Sequence, residues 1–407
     1  MAAVVAPVSP VTAADIPEDA LSTPHHVKDK NGNHVKFKNP HKSAGDPMWT
    51  PYEMVRKLLW ATFAGNLKQP DVKDVHIPTT TPGFLASRTS ASDSPLRATW
   101  LGHACYFVEF PSGLRVLFDP VFEDRCAPVQ FAGPKRYTPT PCSLSDLPAV
   151  DAVVISHSHY DHLSHDSVRE IARRNPEAHF FVGLGLEKWF RSSGIAKVTE
   201  MDWWQDVDLT LTRQSASAPD KDGDANADAD ADGPSEIAAR ISCLPCQHSS
   251  GRTGLDPDQT LWASWAVKSG NKSVWFGGDT GYRKVPQPTP TNPSPDYYGA
   301  EYDELPRCPQ FKQIGERRGP FDLGLIPIGA YHPRWLFSWM HADPYDAVEI
   351  FKDTKCKKAM GIHWGTWVLT SEEVQEPPEL LKKALKKSGI EEKGVFDVCA
   401  VGETREF

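Results

Sequence analysis

Val150-Asp151-Ala152-Val153-Val154-Ile155-Ser156-His157-Ser158-His159-Tyr160-Asp161-His162-Leu163 is the stretch from which the rest of the chain is best read. Its first six residues form a compact apolar run rich in β-branched side chains, the pattern of a buried parallel strand. The run stops where the histidines begin. In open α/β sheets, chemistry gathers just past the carboxyl ends of strands. Three histidines and an aspartate within six residues at such a point offer the imidazole and carboxylate ligands that zinc and similar metals accept. In this H-x-H-x-D-H pattern, His157 and His159 are spaced so that an extended turn aims both at one ion. Asp161 and His162 follow as the chain bends into a helix, and they point to a second.

Further along, three more strand-like runs end at residues of ligand type. Ile237 to Leu244 leads to Pro245-Cys246-Gln247-His248. Ser273-Val274-Trp275-Phe276 leads to Gly277-Gly278-Asp279-Thr280-Gly281. Ala359-Met360-Gly361-Ile362 leads to His363. Any one of these reads as a core or capping polar residue. Together with the first motif they supply five histidines and two aspartates, enough for one site of three histidines and a second of one aspartate and two histidines with a shared carboxylate.

Around these strands the periodicity alternates between sheet and helix. Arg97 to Phe118 reads as an antiparallel meander, Asp166 to Arg174 and Pro344 to Asp353 as helices, and Pro378 to Ser388 as a final amphipathic helix. Residues 98–407 are therefore expected to form one α/β domain. Residues 47–97 are expected to form a helical extension, because Thr50 and Pro51 suit a helix start and Met54, Val55, Leu58, Leu59 and Phe63 recur at helical spacing. That helix suits either the core or a lipid interface. Residues 1–46 read as a disordered tail with solvated histidines at His25, His26, His34 and His41, whose removal is expected to leave turnover near normal. Residues 214–236 read as a mobile acidic insert.

The net charge is −9, which argues against a non-specific nucleic-acid binder. The eight cysteines are scattered, and Cys243 and Cys246 form a lone C-x-x-C, better read as core thiols than as half of a zinc ribbon. No apolar run approaches the roughly 18 residues that span a bilayer. The first 20 residues hold no lysine or arginine, unlike a secretory signal or an arginine-rich presequence. An intracellular protein, cytoplasmic or at a membrane periphery, is expected, with a mitochondrial site left open.

The motifs resemble those of the metallo-β-lactamase superfamily, and at closer range those of the N-acyl-phosphatidylethanolamine-hydrolysing phospholipase D family. The similarity is borne by Thr99-Trp100-Leu101-Gly102-His103-Ala104, Gly133 to Tyr137, His157 to Leu163, Asp202-Trp203-Trp204, Phe276 to Tyr282, Ile326 to Tyr331, and Ile362 to Thr366. The resemblance implies an αββα sandwich with two zinc ions. His157, His159 and His248 would hold the first, Asp161, His162 and His363 the second, and Asp279 would bridge them. A hydroxide between the ions would be the nucleophile, which makes Asp161 part of the catalytic set. His341, in His341-Ala342-Asp343-Pro344, would orient the substrate or protonate the leaving group. Tyr160, Trp335 and Trp339 are the expected substrate contacts. The implied reaction is hydrolysis of N-acyl-phosphatidylethanolamine to N-acylethanolamine and phosphatidic acid, with a phospholipid and a membrane surface as partners, no nucleic acid, and a homodimer left open. The alternatives are a lactonase or another phosphodiesterase on the same fold, or a non-catalytic membrane adaptor stabilised by metal.

Overall fold

A computed structural model describes residues 3–5, 8–11, 15–45, 68–88, 93–213 and 236–407. Two sheets face one another. In the first, seven strands run in the order Val198–Met201, His179–Gly183, Ala152–Val154, Arg115–Phe118, Cys105–Glu109, Arg97–Gly102 and Thr404–Glu406. The first four are parallel to their neighbours and the remainder pair antiparallel. In the second, Asp206–Arg213, Glu236–Leu244, Ser264–Ser269 and Lys272–Phe276 form an antiparallel meander. Phe321–Pro327, Cys356–Ile362 and Phe396–Asp397 extend it in parallel.

The alternation of side chains along a strand explains the layering. Val116, Phe118, Val154 and Phe181 point between the sheets, where they meet Ile241, Trp265, Val274 and Phe276 in one large core. The intervening Leu117, Val153, Phe180 and Val182 point outward into a second cluster with Val168, Ile171 and Phe190. Those last three lie on the helices His165–Arg174 and Glu187–Ser192, which cover the seven-stranded sheet. Gln310–Arg317, Pro344–Asp353 and Glu376–Lys387 cover the other sheet through Phe311, Ile314, Val348, Ile350, Leu381 and Leu385. The result is the expected αββα sandwich. Because both faces of the central strands are buried, they read in sequence as continuous apolar runs.

The N-terminal expectations need correction. The segment 1–46 is not a disordered tail where it is described. Ala3–Val5 and Ser9–Pro10 pair along the edge strand Asp206–Arg213. His26–Lys28 and His34–Phe37 form a hairpin, and Phe37 is buried in the main core. His25 and His26 bond to Asp202 and are not free in solvent. A Pro- and His-rich composition suggested a loop, but one buried phenylalanine and a few polar anchors are enough to fix this segment. The expected helix at 48–65 lies outside the described residues. In the rest of the expected helical extension, residues 68–88 and 93–96 contain no helix, and Arg97 already opens the first sheet strand. The acidic insert lies outside the described residues except for Glu236, which opens a strand.

Candidate metal centre

Six strand ends and one loop converge at one rim of the sandwich. His157 follows Ala152–Val154, Asp119 follows Arg115–Phe118, and His103 sits in the tight turn after Arg97–Gly102. His248, Asp279 and His363 follow Glu236–Leu244, Lys272–Phe276 and Cys356–Ile362. His341 arrives on the connection between Arg334–Phe337 and Pro344–Asp353. The backbone is forced at this rim: His103, Asp119, Ala330 and His363 all have positive φ, at 51°, 37°, 63° and 64°. Non-glycine residues rarely adopt that region, and packing around functional sites is what holds them there. Gly278 and Gly281 allow the Asp279 turn. A Cβ at Gly278 would stand 2.6 Å from the Ser156 Cβ, and one at Gly281 would stand 2.4 Å from the Trp339 backbone.

The ligand-type atoms fall into two adjoining groups. His157 Nε2 lies 2.8 Å from His159 Nδ1, and His248 Nε2 lies 3.2 Å from the same atom. The second group centres on Asp161 Oδ2, which is 3.4 Å from His162 Nε2 and 3.2 Å from His363 Nε2. Asp279 Oδ2 stands between the groups, 3.0 Å from His363 Nε2, 3.2 Å from His162 Nε2, 3.6 Å from His248 Nε2 and 3.9 Å from His157 Nε2. All seven sequence-selected residues are thus brought together. Within each group the ligand atoms are close enough to hold one metal ion.

Outer partners turn the imidazoles inward. Asp119 accepts from His162 Nδ1 at 2.6 Å, and the Met340 carbonyl accepts from His248 Nδ1 at 2.8 Å. Ser156 Oγ lies 2.9 Å from His157 Nδ1 and donates to Asp119 at 2.5 Å. In each case Nε2 is the nitrogen left facing the centre, the usual arrangement behind a metal-bound histidine.

The electrostatics fit a cation. Burial drives His157 and His248 well below the usual imidazole range and lowers His159, so these three are neutral and offer lone pairs. His162 and His363 are equally buried, but the carboxylates of Asp279 and Asp161 outweigh burial. His162 is held well above its usual value and His363 is raised to about 9. Asp161 and Asp279 are held well below the usual carboxylate range: burial opposes this, but His162 and its neighbours prevail. The carboxylates thus call for positive charge at this buried rim, which a bound cation would supply in place of protons on His162 and His363. Asp279 Oδ1 and His162 Nε2 are buried without a hydrogen-bond partner, and a bound cation would satisfy both.

His341 belongs to this centre and does not cap the helix that follows it. Asp343 is the cap, accepting from the Asp346 N–H at 3.0 Å. Arg334 pairs with Asp343 and Asp346 and donates to the His341 carbonyl, which pins the loop. The His341 Nδ1 lies 3.9 Å from Asp279 Oδ2, and burial lowers its pKa to about 4.

Beside His159 opens a cavity of about 420 Å³, lined on one side by Leu336, Phe337, Trp339 and Met340 and on the other by residues 249–252 and 254–258 in part. Of the three expected substrate contacts, only Trp339 lines it. Trp335 packs instead with Val285, Tyr297 and Leu336 in a separate apolar cluster, because the short helix Arg334–Phe337 turns it away. Tyr160 lies beneath the Arg252 guanidinium, 4.0 Å from it, and supports that side chain. Arg252 also donates to the carbonyls of Ser158 and Leu163 and so forms a fixed cationic wall of the cavity.

Three contributors escaped the sequence reading as site residues. His103 Nε2 lies 3.0 Å from Asp161 Oδ2, and its ring packs 4.1 Å from that of His363. The signal was present in Gly102-His103 at a strand end. Asp119 was visible only as the end of a strand before Pro120, and Arg252 had no local signal.

The chain matches the Beta-lactamase superfamily domain over residues 114–289 and 297–364. It is 38% identical over 300 residues to N-acyl-phosphatidylethanolamine-hydrolyzing phospholipase D 1 of Caenorhabditis elegans, covering 72% of this chain and 71% of the relative. It is 30% identical to the mitochondrial N-acyl-phosphatidylethanolamine-hydrolyzing phospholipase D of Saccharomyces cerevisiae, covering 79% of this chain and 57% of that one. An uncharacterized protein of Mycobacterium tuberculosis is 36% identical, covering 83% of this chain and 75% of the relative. The metal-fitted rim and these long matches agree: the chain is a metal-dependent hydrolase and belongs to the N-acyl-phosphatidylethanolamine-hydrolysing phospholipase D family of the β-lactamase superfamily.

Proposed function

We propose that this protein is a binuclear zinc phospholipase D that hydrolyses N-acyl-phosphatidylethanolamine at a membrane surface. The observation that carries the reading is the largely apolar cavity that begins at His159 of the first ligand group and carries one fixed guanidinium. A two-chain phospholipid needs an apolar wall for its tails and a cation for its phosphate, whereas a small polar lactone needs neither.

His157, His159 and His248 would hold one zinc ion and Asp161, His162 and His363 the other, with Asp279 between them. When bound, such a pair neutralises phosphoryl oxygens and brings the pKa of water down to about 7. The remaining work falls to the chain. Asp119, Ser156 and the Met340 carbonyl hold the imidazoles in place. Arg252 attracts the lipid phosphate and Trp339 shields an acyl chain. His341 is neutral at neutral pH, and nearby cations lower its proton affinity further. Of its two expected roles, orienting a substrate oxygen therefore suits it better than protonating the leaving group. Water supplies the oxygen that ends on phosphorus, the bond to the N-acylethanolamine oxygen breaks, and that oxygen takes a proton.

Two features support a membrane partner. Leu255 is 87% exposed on the loop whose neighbours Gly254 and Asp256 line the cavity, and Phe131 is 85% exposed on another loop. No helix among the described residues is long and apolar enough to cross a membrane, which suits peripheral attachment. The yeast relative's mitochondrial designation makes that organelle's membrane a reasonable first place to look.

A lipid panel with mass analysis of products tests the reading. N-acylethanolamine and phosphatidic acid are expected from the zinc-loaded protein, and neither from His159→Ala or Asp279→Asn. Lactone turnover with intact phospholipid would replace this proposal with the lactonase alternative. Retained metal with no turnover of any substrate would favour the adaptor.

A further inference from the structure

We propose that His25, His26 and Asp202 form a separate structural metal site that takes a borderline divalent cation such as Zn2+ and clasps the N-terminal hairpin to the body of the protein. His25 Nε2 lies 2.7 Å from Asp202 Oδ1, and His26 Nε2 lies 2.8 Å from Asp202 Oδ2. Consecutive residues of an extended chain point to opposite faces, so two adjacent histidines meeting on one carboxylate is unusual. A bend at His25, just before the strand His26–Lys28, makes it happen here. One potential ligand atom from each of the three residues lies within 4.8 Å of the others.

The surroundings are those of a built site. The His25 ring stacks on the Trp203 ring at 4.2 Å, and the Trp203 backbone N–H donates to Asp202 Oδ1 at 2.8 Å, so one residue positions both imidazole and carboxylate. From the second strand of the hairpin, His34 brings Nδ1 to 3.4 Å from His26 Nδ1 and adds a third imidazole at the edge. The side chains of His25, His26 and Asp202 are 13%, 27% and 24% exposed. A cation can therefore enter and keep a water ligand. Two imidazoles and one carboxylate are also the donor set that zinc accepts, whereas calcium and magnesium ask for oxygens.

The clasp lies at the start of a short path to the centre described above. The Lys38 N–H donates to the His25 carbonyl at 2.9 Å. The next residue, Asn39, grips the backbone of His248 from both sides: its amide donates to the His248 carbonyl at 2.7 Å, and its carbonyl accepts from the His248 N–H at 3.1 Å. An ion at Asp202 would hold the segment that holds His248.

The full-length protein, loaded with Zn2+ and freed of excess, is compared with His25→Gln/His26→Gln by elemental analysis. Glutamine keeps an N–H donor for Asp202 but is a poor zinc ligand. The double variant is expected to hold about one equivalent less than wild type, as loss of one discrete site requires. In a second measurement, added Zn2+ is expected to slow proteolysis of the N-terminal segment in wild type. It should do so equally in His159→Ala, which is altered only at the catalytic rim, and not in Asp202→Asn. An unchanged metal count in the glutamine variant, or proteolysis in wild type that Zn2+ does not slow, would reduce the cluster to a hydrogen-bonded clasp and overturn the proposal. The second measurement stands even where the double variant fails to fold, and neither depends on which lipid is hydrolysed.

Discussion

Single carboxylates set the character of this protein, and two of them make opposite predictions. Asp119 is buried behind His162 and reaches no substrate. Replacing it with asparagine removes the charge that fixes the His162 tautomer. Metal affinity or turnover is expected to fall about 10–100-fold with the fold intact, read by metal content, turnover and circular dichroism. Asp258, on the cavity wall, is the reverse case. Burial raises its pKa to about 6, against partial relief from the Ser250 N–H and Lys36. A raised carboxyl binds its proton more tightly in the folded state than in the unfolded one. Its penalty is therefore fully present above about pH 6 and is relieved as pH falls toward its ordinary value of 3.8. Its φ of 59° is one that asparagine tolerates well. Asp258→Asn is expected to stabilise the fold at pH 7 by on the order of 1 kcal/mol. The gain should shrink as denaturation is repeated from pH 6 down to pH 4.

At the level of elements, the instructive piece is the N-terminal segment. Composition made it a tail, yet it delivers Phe37 to the core, Ser43 to the side chain of Gln247 at 2.6 Å, and Asn39 to His248. Deleting residues 1–45 is therefore expected to lower both melting temperature and turnover, the opposite of what composition suggested. Asn39→Ala alone should cost about 1–3 kcal/mol, the usual effect of leaving buried backbone groups unpaired, and should show as a fall in zinc affinity at the rim. Helices were easier to anticipate than this segment. Pro344–Asp353 falls where its proline start and apolar spacing put it. Gln310–Arg317 was not anticipated, because it lies within the proline-rich residues 284–319, which read as a long loop and mask its periodicity.

On the scale of the whole molecule, the rim of the sandwich carries both the metal centre and the cavity mouth, where Leu255 projects into solvent; Phe131 is likewise exposed. Replacing both residues with aspartate is expected to weaken sedimentation with vesicles and to lower turnover on vesicles by about tenfold or more, consistent with the loss of two buried side chains. Turnover on detergent-dispersed substrate should stay near wild type. Equal loss on both forms would place these residues in folding or catalysis instead of lipid contact.

The layer order was implied by the family resemblance; the residues themselves determined the seven ligand-type side chains and the buried strands that lead to them. Both are local facts: an apolar run that ends in histidine or aspartate marks a strand end, and continuous apolar runs mark strands buried on both faces. His157, His159, Asp161 and His162 were legible because one turn carries them all. Tertiary structure alone decided which distant side chains stand behind them. Asp119 meets His162, Asn39 meets His248 and Tyr160 supports Arg252 across separations of 43, 209 and 92 residues. Such pairings depend on how sheets stack and loops close, and no periodicity along the chain encodes them. The same physics turned Trp335 away from the cavity and left Trp339 on it, although the two are only four residues apart.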